Sequence, residues 1–579
     1  MKARLLFLFF IAAGCSSETT ALQGSCQVNT PSKTEPSYCS NVIVPGDAVT
    51  ISGTATFTKR NLIPSGLGGP AAPKAIRFAE VAVLDSGGNV LNCGTTDSNG
   101  DFSIDIERTN SNVYVEVRSR ANNANLKASV LDNHTDVNYH AIQSTSVIGN
   151  TNQSVGTINA PHNGSLEGGA FNILDLIYEA SSFLATETAG CSGSFADCVP
   201  VSVANKVTVF WQKGFNPATY YCADASDTVS FYVNGSSRLY IVGGVNGDVD
   251  STDTDHFDDN IILHEYGHFL EDAYSISDSP GGTHNGNSLL DARLAWSEAW
   301  ASYFAAKVSG VYVYQDTKGN TDGSTSNLIY YNMERNLPVR DPSPSAYTEL
   351  DGEGSFREFA IARALVDATD TDASDFDNDG IEASFAEIWT ILAGSNGFAN
   401  SSLEHRFAGN FFQLHDNLAG RTDIKSLLDT EKIYDAVTSD FLDHYATPDA
   451  GDGCGDISIS PGNGNDKAED GSFANSNQFA SNDFYLIDHA GGNLSVSMNH
   501  DGVQDLDIYL YGPDYTYGSA SSVLAKSDST SSTTESFSTN LSAGKYLLNV
   551  KVFPTFISGI LKTSTAGYSV FVNSNKVCP

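Results

Sequence analysis

Apolar and polar residues alternate with a period of two through the first third of the chain. The runs Ala79-Glu80-Val81-Ala82-Val83-Leu84, Asp101-Phe102-Ser103-Ile104-Asp105-Ile106 and Val113-Tyr114-Val115-Glu116-Val117 predict strands between Gly, Asn and Asp turns. They imply an all-β sandwich over residues 47–150. At Gly168 the period changes: Phe171, Leu174, Ile177, Tyr178, Phe183 and Leu184 share a helix face. Residues 207–211 and 238–242 then read as strands, so helix and strand mix over 165–447. Further helices are predicted at 288–306 and 354–367, and after the capping boxes Ser384/Glu387 and Ser401/Glu404. A Gly/Asp/Ser-rich linker, 448–472, leads to strands at 483–487, 494–498, 506–511, 545–550 and 568–572, a second β-sandwich over 473–579. The fold class is therefore multidomain, an α+β unit flanked by two all-β sandwiches.

The mixed segment contains the chain's sharpest chemical signal. Ile261, Ile262, Phe269 and Leu270 flank His264-Glu265-Tyr266-Gly267-His268. On a helix, His264 and His268 project from one face one turn apart and can bind one metal ion. Glu265 points away from that coordination sphere yet can reach a water beside the metal, the H-E-x-x-H arrangement of zinc metalloproteases. Five residues alone arise by chance, so a third ligand is needed. Glu298 is the only acid after Asp291 in the helix 288–306, set among Trp296, Trp300, Tyr303 and Phe304. An unpaired carboxylate buried there would be costly, whereas one bound to zinc would not be. His284, in a Gly/Asn-rich loop, and His256, in an acidic loop, are the rivals.

Two stretches suit calcium, which prefers oxygen ligands. Residues 248–259 hold six aspartates, of which Asp253 and Asp255 are the candidate ligands, while Asp258 or Asp259 could instead cap the following helix. Asp375-Phe376-Asp377-Asn378-Asp379-Gly380 opens like a calcium loop, but its twelfth position is Ala386 rather than Glu, which excludes a standard EF-hand; the other reading is a plain acidic turn.

Composition sets the compartment. With 69 acidic against 31 basic residues the net charge is −38, which excludes nucleic acid as a partner. Lys2 and Arg4 precede the apolar run 5–13 and Gly14-Cys15, an export signal over 1–15 followed by a polar tether over 16–46. An uncut signal anchor is the other reading of that run. Beyond it no stretch is long and apolar enough for a membrane helix. Eight further cysteines in an exported chain read as disulfides, with Cys26–Cys39 and Cys454–Cys578 as candidate pairs.

Several stretches resemble known families. The small residues ending at Cys15 resemble a bacterial lipobox, with Ala12 a mild departure. This implies lipidation of Cys15, and Ser16 after it implies an outer-membrane lipoprotein of the cell envelope. Thr95-Thr96-Asp97-Ser98-Asn99-Gly100-Asp101-Phe102 resembles transthyretin-like, carboxypeptidase-regulatory-like modules. Gly491-Gly492-Asn493, Asp505-Leu506-Asp507 and Ala543-Gly544-Lys545-Tyr546 resemble the bacterial pre-peptidase C-terminal domain. HEYGH with WSEAWASYFA is similar to the gluzincin clan, the thermolysin-like proteases, and most to the fungalysins. That resemblance implies a zincin-like catalytic unit and a zinc-dependent endopeptidase acting on protein or peptide. His264, His268 and Glu298 would be its metal ligands and Glu265 its general base. It also implies a substrate-pairing edge strand, for which 238–243 is the candidate. Ser302 departs from the family, which has there an Asp bonded to a ligand histidine; a serine would accept the same bond more weakly, or another carboxylate would substitute. Candidate oxyanion donors are Tyr330, Tyr331, Tyr347 and Arg357. The other readings are an aminopeptidase, and a non-catalytic adhesin or carbohydrate-binding lipoprotein with a vestigial metal site. Oligomeric state is not legible.

Overall fold

The computed structural model of the chain describes residues 33–44, 46–63, 66–191, 198–217, 229–244, 252–275, 292–317, 328–333, 358–370, 381–394, 482–512, 523–530, 532–553 and 566–576, with short pieces between. The alternating runs form strands: Glu80–Asp85, Asp101–Glu107 and Asn112–Arg118. In Asp101–Glu107, Phe102, Ile104 and Ile106 are buried and the residues between them exposed, as a strand with one wet face requires. Ala48–Phe57 pairs antiparallel with Asp101–Glu107 and parallel with Gln153–Ala160. Glu80–Asp85 pairs antiparallel with Val90–Thr95 and Asn112–Arg118 in a second sheet. Val49, Ile51, Val81, Val83, Ile104 and Val115 join the two sheets in one core.

That core continues into the α+β part. A mixed five-stranded sheet has the order Phe231–Val233, Arg238–Tyr240, Val207–Phe210, Lys127–Leu131, Arg120–Asn122. Lys127–Leu131 runs parallel to Val207–Phe210, and Val207–Phe210 parallel to Arg238–Tyr240. Strands from both sides of the expected boundary at 150–165 thus share one sheet. Parallel pairing needs a long crossover, and the helix α1, Glu167–Thr188, lies within the connection between Lys127–Leu131 and Val207–Phe210. One expectation is corrected here. Arg238–Tyr240 is not an edge, because Phe231–Val233 pairs antiparallel outside it. The hairpin turns through Gly235 at φ 72°, and its outer strand of three residues is too short to show a period.

Four further helices follow among the described residues: α2, Asp259–Tyr274; α3, Ala292–Ser309; α4, Glu358–Asp367; and α5, Phe385–Ala393. The first box caps α5 reciprocally, Glu387 N donating to Ser384 Oγ and Ser384 N to Glu387 Oε2. The helix expected after Ser401 lies outside the described residues. All of these helices contribute to the core shared with the first sandwich.

The C-terminal strands form two sheets. Asn482–His489, Gly544–Phe553, Asp505–Tyr511 and Val523–Ser527 make one; Ala566–Val572, Gly492–His500 and Thr534–Leu541 lie in the other. Leu506, Ile508, Leu548 and Val550 meet Leu494, Val496, Met498 and Val570 in a core separate from the first. Two disulfides are described, Cys39–Cys93 and Cys191–Cys198. The first corrects the expected Cys26–Cys39 pair. The segment before the sandwich lies along it, with Cys39 N donating to Glu80 Oε1 and Val42 N to Asn92 Oδ1, and this carries Cys39 to Cys93. Cys454 and Cys578 lie outside the described residues. Among the described residues no helix is long and apolar enough to cross a membrane.

Candidate metal centre

α2 is buried continuously from Asn260 to Glu271, so its polar residues need partners inside the protein. It packs against α3 at unusually close range. A Cβ on Gly267 would lie 3.0 Å from the Ala301 Cα, and Trp300 Nε1 donates to the Gly267 carbonyl at 3.1 Å. This approach brings Glu298 of α3 onto the histidine face of α2. His264 Nε2 and His268 Nε2 are 3.0 Å apart, and Glu298 Oε2 is 3.0 Å from the first and 3.3 Å from the second. A tetrahedral ion with bonds of about 2.0 Å separates its ligands by roughly 3.3 Å. Two imidazole nitrogens and one carboxylate oxygen at this spacing could hold a small tetrahedral ion such as zinc.

The far nitrogens of both rings face serines. His264 Nδ1 is 3.1 Å from Ser302 Oγ, and His268 Nδ1 is 3.2 Å from Ser297 Oγ. Ser297 in turn donates to Glu271 Oε2 at 2.7 Å. Burial depresses His268, but the carboxylates of Glu298, Glu265 and Glu271 outweigh it and raise its pKa to about 9 without a metal. Burial pushes Glu271 up to about 7, against the hydrogen bond from Ser297 and the charge of His268. Glu265 is fully buried and close enough to His268 to act on it electrostatically. The ring of Tyr314 stands edge-on to His264 with centroids 6.2 Å apart.

A second group lies at the start of α2. Asp253, Asp255 and Asp316 are all buried, and each offers a carboxylate oxygen within 4.8 Å of the others'. Asp258 is beside them, its pKa raised well above the usual carboxylate range by burial and by the charges of Asp316 and Asp253. Asp258 stands at the N-cap position of α2 without a side-chain cap bond. Its carboxylate accepts instead from Thr317 N at 2.6 Å and Thr317 Oγ1 at 3.1 Å. Asp259 bonds Lys59 and Asn172. The alternative reading of Asp258 or Asp259 as a side-chain cap is therefore not met: tertiary partners have taken both carboxylates.

The remaining candidates are dispersed. His256 packs against Trp211, centroids 4.9 Å apart, and does not belong to the His264, His268, Glu298 group. Tyr331 stacks on Tyr314 and meets Phe359, so one ring separates it from His264. Tyr330 precedes Tyr331 in the strand Leu328–Asn332. Tyr347, Arg357, His284, Asp375, Asp377, Asp379 and Cys15 lie outside the described residues. The sequence reading missed four contributors: Ser297, Glu271, Tyr314 and Asp316. Ser297 and Glu271 sit next to ligand positions, Ser297 beside Glu298 and Glu271 one turn beyond His268. That adjacency was the available signal.

Residues 196–386, which carry all of this chemistry, match the family described as Mycolysin_C, the Mycolysin C-terminal domain, a peptidase-associated family. No curated protein sequence matches the chain. The pre-peptidase C-terminal domain of collagenase from Bacillus anthracis is similar at 17% identity and a TM-score of 0.13, covering 16% of this chain and 79% of that one. PliG from Aeromonas hydrophila, a periplasmic inhibitor of g-type lysozyme, is similar at 15% identity and a TM-score of 0.13, covering 16% of this chain and 75% of that one.

Proposed function

We propose that the chain is an exported zinc-dependent endopeptidase with a zincin-like catalytic unit, its metal held by His264, His268 and Glu298. The observation that carries this reading is the convergence of two imidazole nitrogens and one carboxylate oxygen within 3.3 Å of one another on two adjoining buried helices. Zinc bound there supplies a Lewis acid that acidifies water and polarises the scissile carbonyl. The chain's own residues do the rest. Ser302 and Ser297 hold the Nδ1 atoms of His264 and His268, which leaves both Nε2 lone pairs toward the cluster. Glu265, adjacent to the ligands yet outside their set, takes a proton from the attacking water and returns it to the leaving amine. Its presence favours catalysis over a purely structural metal site, which has no use for a base. Tyr314, edge-on to His264, limits the swing of that ring.

Calcium is proposed for Asp253, Asp255 and Asp316, since burying several carboxylates together is costly without a cation. Lipidation at Cys15 would tether the enzyme to the cell envelope, with protein or peptide as substrate.

Metal content beside activity tests the central reading. Purified wild type should carry about one equivalent of zinc and cleave casein, while Glu298→Ala should lose both. Stoichiometric zinc retained by Glu298→Ala would move the third-ligand role elsewhere. Zinc without cleavage of casein or a peptide library would favour a non-catalytic site.

A further inference from the structure

The two ligand histidines are backed differently. Ser302 carries the bond to His264, whereas His268 is followed by Ser297 and then by a carboxylate, Glu271. Glu271 is three residues after His268 on α2 and so lies on the same face. Ser297 immediately precedes Glu298 on α3. The close approach of the helices at Gly267 and Ala301 brings the three side chains together. Glu271 and Ser297 are 1% and 0% exposed, so water does not compete for their hydrogen bonds.

A serine hydroxyl has one proton to give. Ser297 gives it to Glu271 Oε2, at 2.7 Å, so toward His268 its oxygen can only accept. Nδ1 of His268, 3.2 Å away, must then carry the hydrogen. In the neutral ring that a metal ligand must be, this puts the lone pair on Nε2, the atom 3.3 Å from Glu298 Oε2 and 3.0 Å from His264 Nε2. Were the carboxylate absent, the serine hydroxyl could rotate and donate to Nδ1. The hydrogen would then move to Nε2, the wrong tautomer for a ligand. Ser277 also bonds Glu271, which helps to hold the carboxylate in place.

We propose that Glu271 is a positioning residue which, through the Ser297 hydroxyl, fixes His268 in the tautomer that presents Nε2 to the metal. The proposal rests on the reading of His264, His268 and Glu298 as a zinc site. In it, Glu271 supplies to one ligand the carboxylate support that the sequence, with Ser302, withholds from the other.

Zinc affinity of the full-length protein, measured by competition with a chromophoric chelator, tests the relay, with the visible spectrum of the cobalt(II)-substituted protein as a second readout. Glu271→Leu, which leaves no acceptor for the Ser297 hydroxyl, and Ser297→Ala should each weaken zinc by about 10- to 100-fold and shift the cobalt bands. The double variant should be no weaker than either single one, because both break one chain of bonds. Ser297→Thr, which keeps the hydroxyl, should restore affinity. Unchanged affinity and spectra in Glu271→Leu would overturn the relay, and so would additive losses in the double variant. A lower melting temperature with unchanged affinity in the folded protein would make Glu271 merely structural and overturn it too. A wild type that bound no zinc would overturn both the relay and the metal reading, so the two failures are distinguishable.

Discussion

Two buried groups of side chains that could each hold a metal ion lie at α2, and they are built in opposite ways. His264 and His268 come from adjacent turns of one helix and meet a single carboxylate from the next. Asp253, Asp255 and Asp316 come from a loop before α2 and from the strand Val313–Thr317 beyond α3. The first group offers nitrogen and oxygen at spacings suited to a small tetrahedral ion; the second offers only carboxylate oxygen. The first depends on the pitch of a helix, the second on the way the chain returns. Each should therefore respond to different ions and fail under different substitutions.

The largest expected effect separates chemistry from metal binding at the first group. Glu265→Gln should lower casein hydrolysis by about a hundred- to ten-thousand-fold while zinc content stays at the wild-type level. Loss of zinc together with activity would make Glu265 a structural partner of the ligands instead of the base.

The second group should answer to calcium alone. Removing calcium with a selective chelator should lower the melting temperature, and restoring it at a hundredfold excess over Kd should return about 2.7 kcal/mol. Asp316→Asn should abolish that dependence and leave zinc content unchanged. A calcium-dependent melting temperature that survived Asp316→Asn would dissolve the contrast between the two groups.

His256 occupies the same loop as Asp253 and Asp255 but is held neutral. Burial, reinforced by the charge of Arg60, lowers its pKa to about 3. An unfolded histidine titrates near 6.5, so the unfolded chain binds the extra proton first as pH falls. The stability His256 contributes is complete above about pH 6.5 and is lost progressively below it, toward pH 3. Between pH 7 and 5 the loss is about 2 kcal/mol. His256→Leu should flatten the fall in melting temperature over that interval relative to wild type. An equally steep fall in the variant would assign the acid sensitivity to the neighbouring carboxylates.

The same contrast explains what the sequence disclosed. His264, Glu265 and His268 were legible because helix pitch alone puts two of them on one face, and Glu298 because a lone acid among tryptophans needs a reason. Phe102, Ile104 and Ile106 announced a half-buried strand by simple alternation. Asp316 gave no such sign, since nothing in a short strand tells which distant loop it will meet. The parallel pairing of Lys127–Leu131 with Val207–Phe210 was hidden for the same reason. Glu271 was in plain view but carried no signal of its own, because its partner Ser297 lies on the other helix. Local period is written in the chain; convergence across a crossover is not.

Gly267 gives the smallest and finest test, because it touches only the helix-built group. Alanine at an interior helix position normally stabilises by about 1 kcal/mol over glycine. Here the new Cβ would sit 3.0 Å from the Ala301 Cα, with backbone rather than a flexible side-chain tip in its way. Overpacking of that kind costs about 1–3 kcal/mol, so the net effect of Gly267→Ala should be a destabilisation of about 1 kcal/mol. Relief comes by moving α3 outward, which carries Glu298 away from His264 and His268 and should weaken zinc. The acidic group, whose members all lie outside α2, should keep its calcium response. Weakened zinc with an intact calcium response would show that the α2–α3 approach sets the first group alone, whereas a parallel loss of both would show the two groups to be coupled through the helix they flank.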